Sequence, residues 1–175
     1  MAEKRRRKCR YYVNSNFIIG LVEGRVESLE FARRHRDLCT SSLVFLEARL
    51  KGRDPRPLQE HCKKHGITVV RPTAKTVALL RSAARKQVKQ LGLSSRHIPD
   101  FMHVLFAKTL HALFVTADRT TCRRARDLGI ECIYLPDWWR QVAQELGGDK
   151  QGDKRSKRNN REARRTSRKS RKRRR

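Results

Sequence analysis

The chain is 175 residues long, with 44 Lys and Arg against 17 Asp and Glu, for a formal net charge of +27. That length suits one domain with appendages, and the 37% apolar content supplies a core because the polar residues concentrate at the ends. No apolar run approaches the about 20 residues of a membrane span, and the basic N-terminus lacks the apolar stretch of a signal peptide, which points to a soluble, cytoplasmic protein.

The charge is unevenly placed. Residues 1–10 form a basic arm that includes Arg5, Arg6 and Arg7. Residues 147–175 form a tail in which Lys150 to Arg175 contains no Leu, Ile, Val, Phe, Tyr or Trp. Such a segment buries too little surface to offset its ordering entropy, so it is expected to be disordered alone and to order on a partner. Arg155, Arg158, Arg164, Arg165, Arg171, Arg173, Arg174 and Arg175 would release counterions on a polyphosphate, which favours nucleic acid over an anionic membrane or a nuclear address. The folded domain is expected over residues 11–146. Five cysteines, with no paired short spacing, argue against a zinc site and against a secreted disulfide framework, and suit a reducing cytosol.

From Tyr11 the pattern alternates. A strand at Tyr11 to Val13 runs into the polar turn Asn14-Ser15-Asn16, then a helix from about Phe17 to Glu23 and another from Val26 to His35. Thr40, Ser41 and Ser42 read as caps for a helix from Leu43 to Leu50. The turn Asp54-Pro55-Arg56-Pro57 opens a helix through His65, and Ile67 to Val70 reads as a short buried strand. Thr73 to Leu91 is a long amphipathic helix with Val77, Leu80, Ala84, Val88 and Leu91 on one stripe. Pro99 begins a helix through His111, Leu113 to Val115 is a strand, Thr120 to Leu128 a helix, Glu131 to Tyr134 a strand, and Asp137 to Leu146 a closing helix. Strands alternating with helices predict an α/β fold with a parallel sheet covered on both faces.

In such a sheet, chemistry gathers outside the carboxyl ends of the strands. Asn14 follows the first strand, Glu47 lies within a helix, Asp100 opens a helix, and Asp118 follows the strand at Leu113. Taken singly each acid has a structural reading: Asp100 favours its helix dipole, Asp118 caps the next helix, and Glu47 pairs with an Arg. In combination they resemble a PIN domain, over roughly residues 10 to 137. In that family an acid heads the polar turn where Asn14 stands, a second follows a small polar stretch as Glu47 follows Thr40-Ser41-Ser42, and the last two bracket a helix and a strand ending Thr-x-Asp, as Asp100 and Thr116-Ala117-Asp118 do. The resemblance implies a three-layer sandwich about a five-stranded parallel sheet, with Thr116 or Ser15 in support, and a site for Mg²⁺ or Mn²⁺ at positions 14, 47, 100 and 118.

Asn14 departs from that pattern. An amide keeps an oxygen but loses the charge, so the site would hold divalent cations less tightly and could not take a proton from a metal-bound water. Deamidation of Asn14 before Ser15 would restore the acid. Clustered acids are expected to repel, so Glu47→Ala or Asp118→Ala should leave the domain folded.

Outside the acids, His61 and His65 have helical spacing but read as surface residues, and His97 is close enough in sequence to Asp100 to reach a phosphate. Trp138 and Trp139 read as packing residues before stacking ones. Arg123, Arg124 and Arg126, with the basic helix from Arg81 to Lys89, read as phosphate contacts beside the cleft. The function expected is RNA binding by a PIN-like domain with a weakened metal site, on ribosomal RNA or a ribosomal subunit. The alternative is a Mg²⁺- or Mn²⁺-dependent endoribonuclease using Glu47, Asp100 and Asp118, of the toxin or RNA-processing kind. A homodimer or an antitoxin-like protein partner is compatible with either.

Overall fold

The computed structural model describes residues 9–146, so the expectations for Arg5 to Arg7 and for the tail from residue 147 lie outside the described residues. The chain divides into two units, Met1–Pro136 and Asp137–Arg175. The first holds a five-stranded sheet in the order β3-β2-β1-β4-β5, parallel at every pairing. Its elements are β1 (Tyr11–Val13), α1 (Ser15–Val22), α2 (Val26–Arg34), β2 (Leu38–Ser41), α3 (Leu43–Leu50), α4 (Arg56–Lys64), β3 (Thr68–Val70), α5 (Ala74–Gln90), α6 (Ile98–Thr109), β4 (Leu113–Thr116), α7 (Arg119–Asp127) and β5 (Cys132–Tyr134). A single 3-10 turn at Ser95–His97 leads into α6. Residues 135–146 are helical, and in the second unit Arg140 pairs with Asp137 while the Trp138 and Trp139 rings lie 6.4 Å apart. Among the described residues no helix is long and apolar enough to cross a membrane.

The order of the strands follows from right-handed crossovers. The chain steps from β1 outward to β2 and β3, then returns through α5 and α6 to lay β4 on the other side of β1. This reversal between β1 and β4 is the switch point of the sheet, where a crevice opens at the strand ends. Along each strand, side chains alternate between faces. Tyr12, Cys39, Phe114 and Cys132 share one face and pack with Leu80, Ala84 and Val88 of α5 and Phe101 and Val104 of α6. Phe114 is fully buried there, so its truncation to Ala would cost about 3 to 5 kcal/mol. Val13 and Val115 are paired in register and turn to the opposite face. There α1 lies against α2 so closely that a Cβ at Gly20 would strike Ser28 Oγ.

Three local expectations change. The stretch Thr40-Ser41 is not a cap but the end of β2, a strand buried at every residue. Its polar side chains are satisfied inside the sheet: Thr40 Oγ1 donates to the Val13 carbonyl at 2.8 Å, and Ser41 Oγ lies 2.9 Å from the Tyr12 hydroxyl. The strand at Thr68–Val70 is half-buried because it sits at the sheet edge. And α1 starts at Ser15, two residues early, because Asn14 caps it by accepting from the Phe17 N–H.

The cysteines also correct the reading. Cys9 is bonded to Cys39, and Cys122 to Cys132, across sequence separations of 30 and 10. The chain brings Cys9 beside β2 and sets α7 against β5, so the pairs arise from tertiary proximity that linear spacing conceals. Cys62 is free and buried, and burial pushes its thiol up to about 12.

Candidate functional site

Asn14 directly follows β1 and Thr116 ends β4, so the two flank the switch point. Asn14 is 2% exposed and both of its polar atoms are engaged. The Phe17 N–H must face an acceptor, which fixes Oδ1 toward α1 at 3.4 Å and turns Nδ2 to donate to Thr116 Oγ1 at 3.1 Å. The same hydroxyl accepts from the Asp118 N–H at 3.1 Å. Asp118 then caps α7, its Oδ1 accepting from Thr120 N at 2.8 Å and Thr121 N at 3.1 Å.

Glu47 reaches the same region from α3. Ser15 Oγ, on the first residue of α1, donates to Glu47 Oε2. Lys51, one turn along α3, lies 2.6 Å from Oε1, and His103 Nε2 lies 3.4 Å from Oε2. Burial works to raise the Glu47 carboxyl, but hydrogen bonds from His103, Lys51 and Ser15 together outweigh it and hold the group at about 2. Asp100, in the first turn of α6, behaves in the opposite way. Burial pushes its carboxyl up, the charges of Glu47 and Asp118 push it further, and His103 and His97 only partly offset them. The charges of Glu47 and Asp118 are thus both felt at Asp100.

Among the described residues no three His, Cys, Asp or Glu side chains are grouped to hold one cation. The donor chemistry explains this: both Glu47 oxygens are met by protein donors, Asp118 Oδ1 is committed to α7, and Asn14 Oδ1 to α1. Lys51 supplies to Glu47 a positive charge of the kind that a divalent ion would, and His103 adds a hydrogen bond. Glu47 is thus paired with Lys51 while its charge still acts on Asp100, so its removal would lose an ion pair as well as relieve a repulsion.

His103 is the residue that reading the sequence missed. It is 3% exposed and joins a buried relay, with Nδ1 2.6 Å from the Tyr12 hydroxyl, which in turn contacts Ser41. In the arrangement that satisfies every polar atom, Ser41 donates to Tyr12, Tyr12 to His103 Nδ1, and His103 Nε2–H to Glu47. Burial, foremost, pushes the Tyr12 phenol far up, so it stays a hydroxyl donor. The available signal was the spacing of Asp100 and His103, which places both on one side of α6.

The basic residues divide. Arg123 is exposed on α7. Arg124 donates to His97 Nδ1 at 3.1 Å, and its guanidinium lies 5.9 Å from the Phe101 ring centre; His97 Nδ1 itself lies 3.7 Å from Asp100 Oδ2. Arg126 is instead structural, its Nη2 donating to the Cys132 carbonyl at 2.8 Å. Arg81 and Arg85 of α5 rim a cleft of about 260 Å³ whose lining includes Glu47, His103, Leu46 and Met102. His61 and His65 are half-buried, not surface residues, with ring centres 5.9 Å apart.

No family model matches the chain, and no curated protein sequence matches it significantly. Solved structures do. VapBC2 from Rickettsia felis, bound to a DNA fragment from its promoter, superposes with a TM-score of 0.52 at 14% identity, over 70% of this chain and 96% of that one. VapBC-1 from nontypeable Haemophilus influenzae superposes with a TM-score of 0.50 at 17% identity, again over 70% and 96%. At such identities the likeness speaks to architecture alone. The five parallel strands, their order and the acids gathered at the switch point give this chain a PIN-like fold.

Proposed function

We propose that this protein is an RNA-binding PIN-like protein whose acidic site is weakened for divalent cations, with ribosomal RNA or a ribosomal subunit as its partner. The observation that carries the reading is the state of position 14: a buried neutral amide with both polar atoms committed, beside a Glu47 already paired with Lys51 and hydrogen-bonded by His103 and Ser15. Position 14 then adds no charge to the three acids, whereas the +27 chain has a large excess of positive charge for phosphate. Co-sedimentation of the full chain with ribosomal subunits across a salt series tests it. Stoichiometric retention at salt that strips transient binders supports a component of the particle, and release at low salt removes the ribosomal assignment.

A second reading, a Mg²⁺- or Mn²⁺-dependent endoribonuclease, rests on Asp100. Its carboxyl is pushed up by burial first and then by the charges of Glu47 and Asp118, a repulsion that a bound cation would relieve. Here Glu47, Asp100 and Asp118 would hold the ion, with Asn14 as a neutral ligand, and the ion would lower the proton affinity of water. Cleavage of single-stranded RNA by protein verified to carry Asn14, lost in Asp118→Ala, would favour this reading over the first.

A further inference from the structure

On the far side of α3 from Glu47 lies a cleft of about 480 Å³ that the acidic site does not use. Ser42, Phe45 and Arg49 recur at three- and four-residue spacing, so they share one face of α3. Gln59 and Lys63 face them from α4, and Arg71 stands just past the end of β3. The cleft therefore runs along the edge strand β3, with Ile67 just before the strand and Arg71 just past its end. Leu46 lines both this cleft and the one that holds Glu47 and His103, so the two are neighbours across a single side chain.

The lining has an unusual balance. Arg49, Lys63 and Arg71 are all exposed, and none makes an ion pair among the described residues. The lining contains no acid. Asp54, the carboxylate that feels Arg49, is itself held by Arg56 at 2.8 Å. Three uncompensated cations around a concavity repel one another and stabilise an anion placed among them. Phe45 is half-buried, leaving part of its ring open to the cleft, and the Gln59 amide can both donate and accept. A phosphate surface with one aromatic platform and one amide is the chemistry that holds a single-stranded nucleotide: phosphates on the cations, the base on the ring. The volume falls in the range of about 300 to 1,000 Å³ that suits a small ligand or one extruded nucleotide.

We propose that the cleft between α3, α4 and β3 is a nucleotide subsite for single-stranded RNA, with the base on Phe45 and the flanking phosphates on Arg49, Lys63 and Arg71. It rests on the RNA-binding reading above and extends it, giving the strand a path from the acidic site over Leu46. Acidic protein segments share the phosphate's charge but not the stacking base, which is why Phe45 favours RNA.

The test uses the full chain and an oligouridylate of about ten nucleotides carrying 5-bromouridine. Binding is followed by anisotropy across a salt series, and ultraviolet cross-links are mapped to peptides. The wild type should cross-link through the peptide bearing Phe45. Arg49→Ala/Lys63→Ala/Arg71→Ala, with its fold checked by circular dichroism, should lose that cross-link and flatten the slope of log affinity on log salt by about 2, at about 0.7 per phosphate contact. Phe45→Leu should weaken binding about tenfold and leave the slope alone. Wild-type binding that persists unchanged in the triple variant, with its cross-links elsewhere, overturns the subsite and leaves RNA binding intact. Absence of wild-type binding overturns the RNA reading itself. Binding of a polyglutamate peptide that depends on the same three cations, while RNA binding does not, reassigns the cleft to an acidic protein.

Discussion

Asn14 Nδ2 lies 3.1 Å from Thr116 Oγ1, tying the end of β1 to the end of β4 across the switch point of the sheet. The bond also sets what a carboxylate at position 14 would require. Thr116 Oγ1 now accepts from both Asn14 and the Asp118 N–H. With Asp at position 14 the hydroxyl would turn to donate to the new oxygen while still accepting from Asp118, so the substitution has a ready hydrogen-bond solution.

Asn14→Asp should therefore fold, and it should add a fourth acid to the cluster. Its melting temperature should fall below the wild type at neutral pH without metal, and recover on adding Mn²⁺. Metal-dependent cleavage of single-stranded RNA should appear where the wild type shows little, and intact mass should verify residue 14 in both samples. Equal activity in the two proteins would mean that position 14 does not limit the site.

Glu47→Gln should destabilise the fold at neutral pH. The folded carboxyl is held at about 2 against an ordinary 4.5, so its contribution is present above pH 4.5 and is lost as pH falls toward 2. The gap between wild type and variant in thermal melts should close over that window. A gap that is constant with pH would assign the effect to packing.

Asp100→Asn should act with the opposite sign. Burial and the charges of Glu47 and Asp118 raise the folded carboxyl, so its ionised form opposes folding, and the cost appears as pH rises through the folded value. The variant should melt higher than the wild type at neutral pH, and the two should converge below the ordinary carboxylate range. A lower melting temperature at neutral pH would show that Asp100 is held by a cation.

The cysteine pairs predict a labelling pattern. Under native, non-reducing conditions no thiol should be alkylated, because Cys62 is buried; denaturation without reductant should expose Cys62 alone. Loss of the Cys122–Cys132 bond, which closes a separation of 10 residues, should cost about 2 to 3 kcal/mol. Alkylation of Cys122 in the unreduced protein would remove that bond from the account.

Deleting residues 149–175 should weaken RNA binding more than any single change in the acidic cluster, since the segment carries fifteen of the 44 basic residues. The salt slope should flatten markedly. An unchanged slope would move the binding surface onto the folded domain.

The alternation of helix and strand, the long stripe of α5 and the acids at 47, 100 and 118 were legible because each is a local pattern: period, capping residue, or charge against an apolar background. β2 was not. Thr40 and Ser41 are good caps by type, and only the neighbouring strand, with Val13 and Tyr12 ready to take their hydroxyls, makes them strand residues. His103 was hidden for the same reason, since a histidine in an apolar helix has no meaning until Tyr12 and Glu47 are placed on either side of it.

By itself, the sequence determined the charge, the identity of residue 14 and the α/β alternation, since these depend on residue type and short-range order. The tertiary structure decided the rest. It chose which cysteines meet, gave Glu47 the Lys51 cation and a His103 hydrogen bond, and left Arg49, Lys63 and Arg71 without ion pairs around one cleft. Each of these is a relation between groups far apart in the chain, set by the crossovers that fold β4 back beside β1, and electrostatic and hydrogen-bond energies depend on that separation in space.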